Sequence, residues 1–302
     1  LIEDINWNEK KSDIKNYKLS ELIYWFKTPQ KYWLNKNNIC PKEIFIHHPD
    51  EEYLSNLQKS HLITKIIQQV EIDNHNIIND LNELNINDQL ADNGIIMPKN
   101  SIFTKEKEIK DLLSSLSANL SQHNKINKSY VKLNANKEEY LIADETVIEL
   151  INTKLSLSRL TEAWIKLLFI SSLKRNIKRT KVIFRLENDY KSQIIQSPGA
   201  TESNLILEEY INIFKNYSQK CLPLPPESAY KYVEAKIKSK NEKKAFTDKW
   251  IGNKNFSKGE RDNIEMKMCF GNEKEPDFFL GNNNFDQLSY RLYGPLIKAL
   301  KK

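Results

Sequence analysis

The segment Leu157–Leu173, LSRLTEAWIKLLFISSL, constrains the fold more than any other part of the chain. Its apolar residues cover most of the circumference of a helix, so it must be buried on more than one side. Just upstream, SYVKLNANKEEYLIADETVIELI alternates apolar with polar residues in short runs separated by Asn-Ala-Asn-Lys and Asp-Glu-Thr. That period of two predicts two or three antiparallel strands between Tyr130 and Ile151. Downstream, Val182–Leu186 (VIFRL) is a β-branched and aromatic run of strand length. A buried helix between strand-forming runs implies mixed packing of the α/β (α+β) class, with helices flanking a sheet.

The N-terminal part reads differently. In KLSELIYWFKTPQKYWLN (Lys18–Asn35), Ser20 serves as a cap and Glu21 falls in the first turn. Pro29 ends or bends that helix at Thr28, and a second short helix carries Tyr32, Trp33 and Leu34. The rings of Tyr24, Trp25, Phe26, Tyr32 and Trp33 are expected in a core, the usual fate of such clusters, although rings of this kind also stack on unpaired bases. Leu54, Leu57, Leu62, Ile66, Ile67 and Val70 recur at helical steps, predicting a helical hairpin between Asp50 and Glu83, and Thr104–Leu120 is again helical. Further on, Ser197-Pro198-Gly199 is a loop, and Ser203 caps a helix to Tyr217. LPLPPES then connects to a helix near Glu227, and Gly259-Glu260 is a turn. Ile264–Phe270 is a strand candidate, and Asp286–Leu300 is the last helix. This divides the chain into a mainly helical part, 1–125, and an α/β core, 126–302. A helical insertion into one continuous domain fits equally well.

Composition excludes several chemistries. With seven glycines in 302 residues and neither GxxxxGK[ST] nor GxGxxG, the chain lacks the backbone cradle that nucleotide phosphates require. Cys40, Cys221 and Cys269 form neither a disulfide framework nor a zinc pair, so a reducing, cytoplasmic setting is expected. Leu160–Leu173 is interrupted by Glu162 and Lys166 and falls short of the roughly 20 apolar residues of a membrane span, so no membrane partner is expected. The first residues lack an initiator Met and a signal-peptide pattern, so the chain reads as a piece of something longer. His47-His48-Pro49-Asp50 has ligand-type residues, but adjacent histidines point apart and no second cluster completes a metal site. The formal charge of +6 is a mild bias toward anionic partners.

Two motifs remain. Lys174, Arg175, Lys178, Arg179 and Lys181 form a basic run between the buried helix and the strand, which reads either as a solvated turn or as a contact for nucleic-acid phosphates without sequence preference. Asp189-Tyr190-Lys191 has the Asp/Glu-x-Lys form of magnesium-dependent nucleases, in which a carboxylate on the preceding strand completes the metal site and the lysine polarises water. The strand before it offers no acid until Glu187. Asp144 and Glu149 lie beyond the long helix, and Glu149-Leu-Ile lacks a lysine two residues on. Catalysis would require Asp189 and Lys191 to converge with Asp144 or Glu149 on one ion.

Read in order, KLSELIYWFKTPQKYWLNKNN, LADNGIIMPKNSIF, LSRLTEAWIKLLFISSL, NLILEEYINIFKNYSQKCLPLPPESAYKYV, Trp250, Gly259-Glu260 and FDQLSYRLYGPLIKAL resemble the C-terminal domain of the RecC family, the gamma chain of exodeoxyribonuclease V. Ser289 stands where that family's pattern has a small aliphatic residue. The resemblance implies a fold like that of PD-(D/E)xK nucleases without the catalytic residues. It also implies a place in an ATP-dependent helicase–nuclease that processes double-strand breaks for DNA repair and recombination. The implied partners are RecB, RecD and double- and single-stranded DNA, with ATP and magnesium used by the partner subunits and no cofactor in this fragment. The implied role is to split and guide DNA; turn chemistry, rather than the resemblance, offers the turns around Asn134–Lys137 and Gly271–Pro276 as candidate wedges. An active magnesium nuclease and a purely protein-binding scaffold are the rival readings.

Overall fold

The computed structural model describes residues 18–40, 56–69, 88, 99–123, 126–133, 136–173, 176–253, 257–272 and 274–300. It divides into two compact units. One comprises residues 45–163 and 174–197, the other 1–44, 164–173 and 198–302.

The first unit is built on a mixed five-stranded sheet, β1 (Asn127–Leu133), β2 (Asn136–Ala143), β3 (Thr146–Ile151), β4 (Arg179–Leu186) and β5 (Asp189–Gln196), in that spatial order. The first three strands form an antiparallel meander, β3 and β4 run parallel, and β5 returns antiparallel on the edge. Parallel neighbours cannot be joined by a tight turn. The β3–β4 connection accordingly carries a helix, α5 (Leu157–Leu173) in the chain-order numbering used below. The alternating runs, the helix and the VIFRL strand are therefore all present, in an α+β fold. Asp144 (φ 52°) and Glu187 (φ 57°) take left-handed backbone conformations at the two hairpin turns.

Strand alternation sorts the side chains. Ile148, Leu150, Lys181, Ile183, Arg185 and Tyr190 share one sheet face. Leu62, Ile63 and Ile66 of α3 (Asn56–Gln69) and Ile109, Leu112, Leu113 and Leu116 of α4 (Lys99–Leu120) join Ala143, Ile148, Ile183 and Tyr190 in one core. Because α4 belongs to this core, the unit continues across residue 125. Of the expected 50–83 hairpin, α3 is described and the remainder lies outside the described residues.

In the second unit, α1 (Leu19–Lys27) and α2 (Pro29–Lys36) meet at Thr28, whose backbone leaves the helical conformation (φ −151°, ψ 70°) at the break that Pro29 imposes. The first helix begins at Leu19, ahead of Ser20, and no side chain caps it. Trp25, Phe26 and Tyr32 are buried, with Trp25 5.6 Å from Phe214 and Phe26 4.8 Å from Tyr210 between ring centroids, so these rings are core. The following elements are α6 (Ala200–Tyr217), α7 (Pro226–Ile237), α8 (Glu242–Ile251), the short pair β6 (Gly252–Asn253) and β7 (Ser257–Lys258), α9 (Ile264–Phe270), α10 (Asp277–Leu280) and α11 (Asn283–Ala299). Gly199, not Ser203, stands at the N-cap of α6, and Ser203 is buried within the helix. Ile264–Phe270 is a helix rather than a strand. Its buried Met266 and Phe270 are four residues apart, on one helical face.

The Pro-rich connector is held from both ends. Gln30 Nε2 donates to Leu222 O (2.7 Å) and Leu224 O (3.1 Å). Pro225 precedes α7 and has no side chain able to cap it. Glu260 supplies the cap from downstream, accepting from the N–H of Glu227 (2.9 Å), the N–H of Ser228 (2.7 Å) and Ser228 Oγ (2.6 Å). Gly259 permits this approach, since a Cβ there would lie 2.2 Å from Trp250 O. Burial pushes the Glu260 carboxyl up to about 7, against the hydrogen bonds from Ser228 and Glu227, which favour its charged form; Glu227 and Tyr293 also face it. A carboxyl raised in the folded state contributes its stabilisation fully below the unfolded value of 4.5 and loses it as pH rises through about 7. Stability should therefore fall between about pH 4.5 and 7.5 by a component that Glu260→Gln abolishes, as read from urea unfolding at a series of pH values.

Candidate functional site

The four residues of the candidate nuclease site are not brought together. Asp144 is exposed in the β2–β3 turn. Glu149 lies on β3, three strand residues past Thr146, about 10 Å along the strand. Asp189 and Lys191 are exposed on edge strand β5, two strands from β3. Asp189 pairs with Leu186 whereas Glu149 pairs with Val182, an offset of four residues or about 13 Å along the strands. From the Thr146 row, paired with Arg179, the offset is seven residues, about 23 Å. Ligands of one magnesium ion lie about 2 Å from it, so these carboxylates do not fit a shared ion. Among the described residues no group of three His, Cys, Asp or Glu side chains is arranged to hold a metal. Two positions after Glu149, where a lysine would stand in the nuclease pattern, is buried Ile151.

Asp189 instead anchors the start of β5 to α4. Ser115 Oγ donates to Asp189 Oδ1, and the Tyr190 N–H donates to both Asp189 Oδ1 (2.8 Å) and Ser115 Oγ (3.0 Å). Asn119 Nδ2 donates to Tyr190 O (3.1 Å), and Tyr190 OH to Asn152 Oδ1 (2.9 Å). Asn152 in turn donates to Thr64 Oγ1 and accepts, through its main-chain oxygen, from Ser60 Oγ. Sequence reasoning missed Ser115, Asn119 and Asn152, because polar residues on helix and strand ends carry no spacing signal.

Three members of the basic run are described, and their burial and partners distinguish them. Lys178 is exposed and ion-paired with Glu145 at 2.6 Å. Arg179 Nε donates to Thr146 Oγ1 (3.0 Å), and the residue is exposed. Lys181 is buried, and its Nζ donates to Asn119 O (2.9 Å) and Gln122 Oε1 (2.6 Å) at the C-terminal end of α4, where the helix dipole favours a cation. Burial, then Arg179, lowers the Lys181 ammonium. Burial, then Lys181, likewise lowers the neighbouring His123. Lys174 and Arg175 lie outside the described residues, as do His47–Asp50, Asn134 and the middle of the 271–276 turn. Cys221 and Cys269 hydrogen-bond to each other, which together with burial raises the Cys221 thiol, the opposite of a nucleophile's need. No helix among the described residues is long and apolar enough to cross a membrane.

Residues 104–237 match the family model of the RecC C-terminal domain. The RecC match begins within α4, covers the whole sheet, α5 and α6, and ends with α7. Gln30 and Glu260, which hold the connector, lie outside it. No curated protein matches the chain.

Two lysines of the run should separate on mutation. Lys181→Met should lower unfolding free energy by about 1–3 kcal/mol, the cost of leaving the α4 acceptors unpaired. Lys178→Met, which removes only an exposed pair, should change it by less than about 0.5 kcal/mol in the same denaturation assay.

Proposed function

We propose that this chain is the non-catalytic C-terminal domain of a RecC-type gamma subunit of exodeoxyribonuclease V, a DNA-guiding and partner-binding element in double-strand-break repair. The observation that carries the non-catalytic part is the dispersal of Asp144, Glu149, Asp189 and Lys191, with Ile151 at the lysine position of β3. The RecC match supports the subunit assignment. In this reading the fold is a PD-(D/E)xK-like sheet without its metal site, working in the cytoplasm beside RecB and RecD, which consume the ATP and magnesium. The domain acts as a rigid body at a fork while its partners supply the motor free energy. Exposed Lys178 and Arg179, with Lys174 and Arg175, contact phosphates independently of sequence. Lys181 positions α4 against β4 and so sets the local geometry of that edge.

The test is binding of forked DNA to the 302-residue chain by fluorescence anisotropy across a salt series with magnesium present, followed by a denaturing gel. The expected result is intact DNA and salt-sensitive binding, weakened when Lys174, Arg175, Lys178 and Arg179 are changed to Glu. Cleavage lost with Asp189→Ala or Lys191→Ala would establish the nuclease reading instead. Intact DNA with no binding at low salt would leave a protein-binding scaffold.

A further inference from the structure

A second concentration of positive charge lies away from the run singled out in the sequence. Residues 236–244, KIKSKNEKK, hold five lysines against one glutamate, a net +4 in nine residues of a chain whose total is +6. They span the elbow between α7 and α8, within the second unit. Part of this charge has an ordinary explanation. Lys236 pairs with Asp286 at 2.6 Å, and Lys231 and Lys238 pair with Glu234 at 2.7 and 2.6 Å. Lys236 and Lys238 also lie at the C-terminal end of α7, where cations are favoured.

Lys240, Lys243 and Lys244 have no such explanation. All three are exposed, and none pairs with a described carboxylate. Lys243 and Lys244 stand in the first turn of α8, the end at which the helix dipole opposes a cation. The elbow that presents them is fixed at both sides. Ser239 takes a left-handed conformation (φ 52°), with the Lys240 N–H donating to Ala235 O (2.8 Å), and Asn241 Oδ1 accepts from the Lys244 N–H (2.9 Å). The lysines therefore project from an ordered elbow and pair with no carboxylate among the described residues.

We propose that the α7–α8 elbow is a binding site for the phosphodiester backbone of nucleic acid, with Lys240, Lys243 and Lys244 as its contacts. Protein interfaces are depleted in lysine and centred on buried aromatic and apolar residues. None of the exposed large hydrophobic side chains lies between residues 231 and 249, and this stretch contains no arginine. Unpaired point charges on a fixed turn suit sequence-independent phosphate contacts. The site rests on the DNA-guiding reading above and adds a second track to it.

The test uses anisotropy of the 302-residue chain with a duplex and, separately, a single-stranded oligonucleotide across a salt series, with thermal melts confirming that each variant is folded. Lys240→Ala/Lys243→Ala/Lys244→Ala should make the slope of log K against log salt shallower by about two to three with duplex or about two with single strand. Lys231→Ala/Lys236→Ala/Lys238→Ala, which removes paired lysines, should change it less. An equal effect of both triples, or none from the first, overturns the site. If Lys178→Ala/Arg179→Ala still weakens binding in the latter case, the DNA-guiding reading survives without the elbow. Failure of the unmodified chain to bind at low salt overturns both. Binding of poly-glutamate that is lost in the first triple, with nucleic-acid binding unchanged, assigns the elbow to an acidic protein and also overturns the site.

Discussion

The parallel pairing of β3 with β4 is the constraint on which the sheet depends. It fixes the register in which Glu149 faces Val182 and Ile151 faces Phe184, and it forces a crossover connection carrying α5. With β4 tied to β3 on one side, β5 can pair only on the other and becomes the edge strand. Asp189 and Lys191 are thereby carried two strands from Glu149, to the far end of the register from Asp144. The same pairing decides the fate of the basic run. On β4, Lys181 lies under the C-terminal end of α4, where its ammonium donates to helix-end acceptors, while Arg179, two residues earlier on the same face, and Lys178 stay exposed at the open end of the strand.

The second unit depends on a different device, a carboxylate buried at a helix N-terminus. Two prolines and a buried leucine pair before α7, with Pro226 at its first position, leave this segment with few hydrogen-bonding resources of its own. Gln30 and Glu260 provide them from distant parts of the chain. Gly259 is needed because backbone passes where its side chain would be. The connector LPLPPESA (Leu222–Ala229) and Gly259-Glu260, which carry part of the resemblance, thus meet in one hydrogen-bonded arrangement whose role is architectural. This explains how they signal a family without signalling a reaction. It also shows that the architecture around α7 draws on residues on both sides of the RecC match.

Much of this was legible in the sequence where periodicity dominates. The meander, the α5 helix and the VIFRL strand follow from alternation and apolar coverage, and the α1–α2 break follows from Pro29. Ile264–Phe270 misleads because IEMKMCF alternates well enough for a strand, and only the partners of Met266 and Phe270 select the helix. The candidate site was less legible. A cluster of lysines in one dimension does not reveal which of them a strand will turn inward, as with Lys181, or which will find carboxylates, as with Lys236. The α7–α8 lysines stand close together in the sequence, but only the structure separates Lys236 and Lys238, which are paired, from Lys240, Lys243 and Lys244, which pair with no described carboxylate. Asp189 looked like a ligand because Asp-x-Lys is local, whereas its partner Ser115 is 74 residues away.

The central claim is that these carboxylates do not make a metal site. A titration of the 302-residue chain with Mn²⁺, followed by electron paramagnetic resonance of the free ion, tests it most directly. The account predicts no stoichiometric binding that depends on Asp144, Glu149 or Asp189. One ion bound per chain, lost in Glu149→Gln or Asp189→Asn, would contradict it.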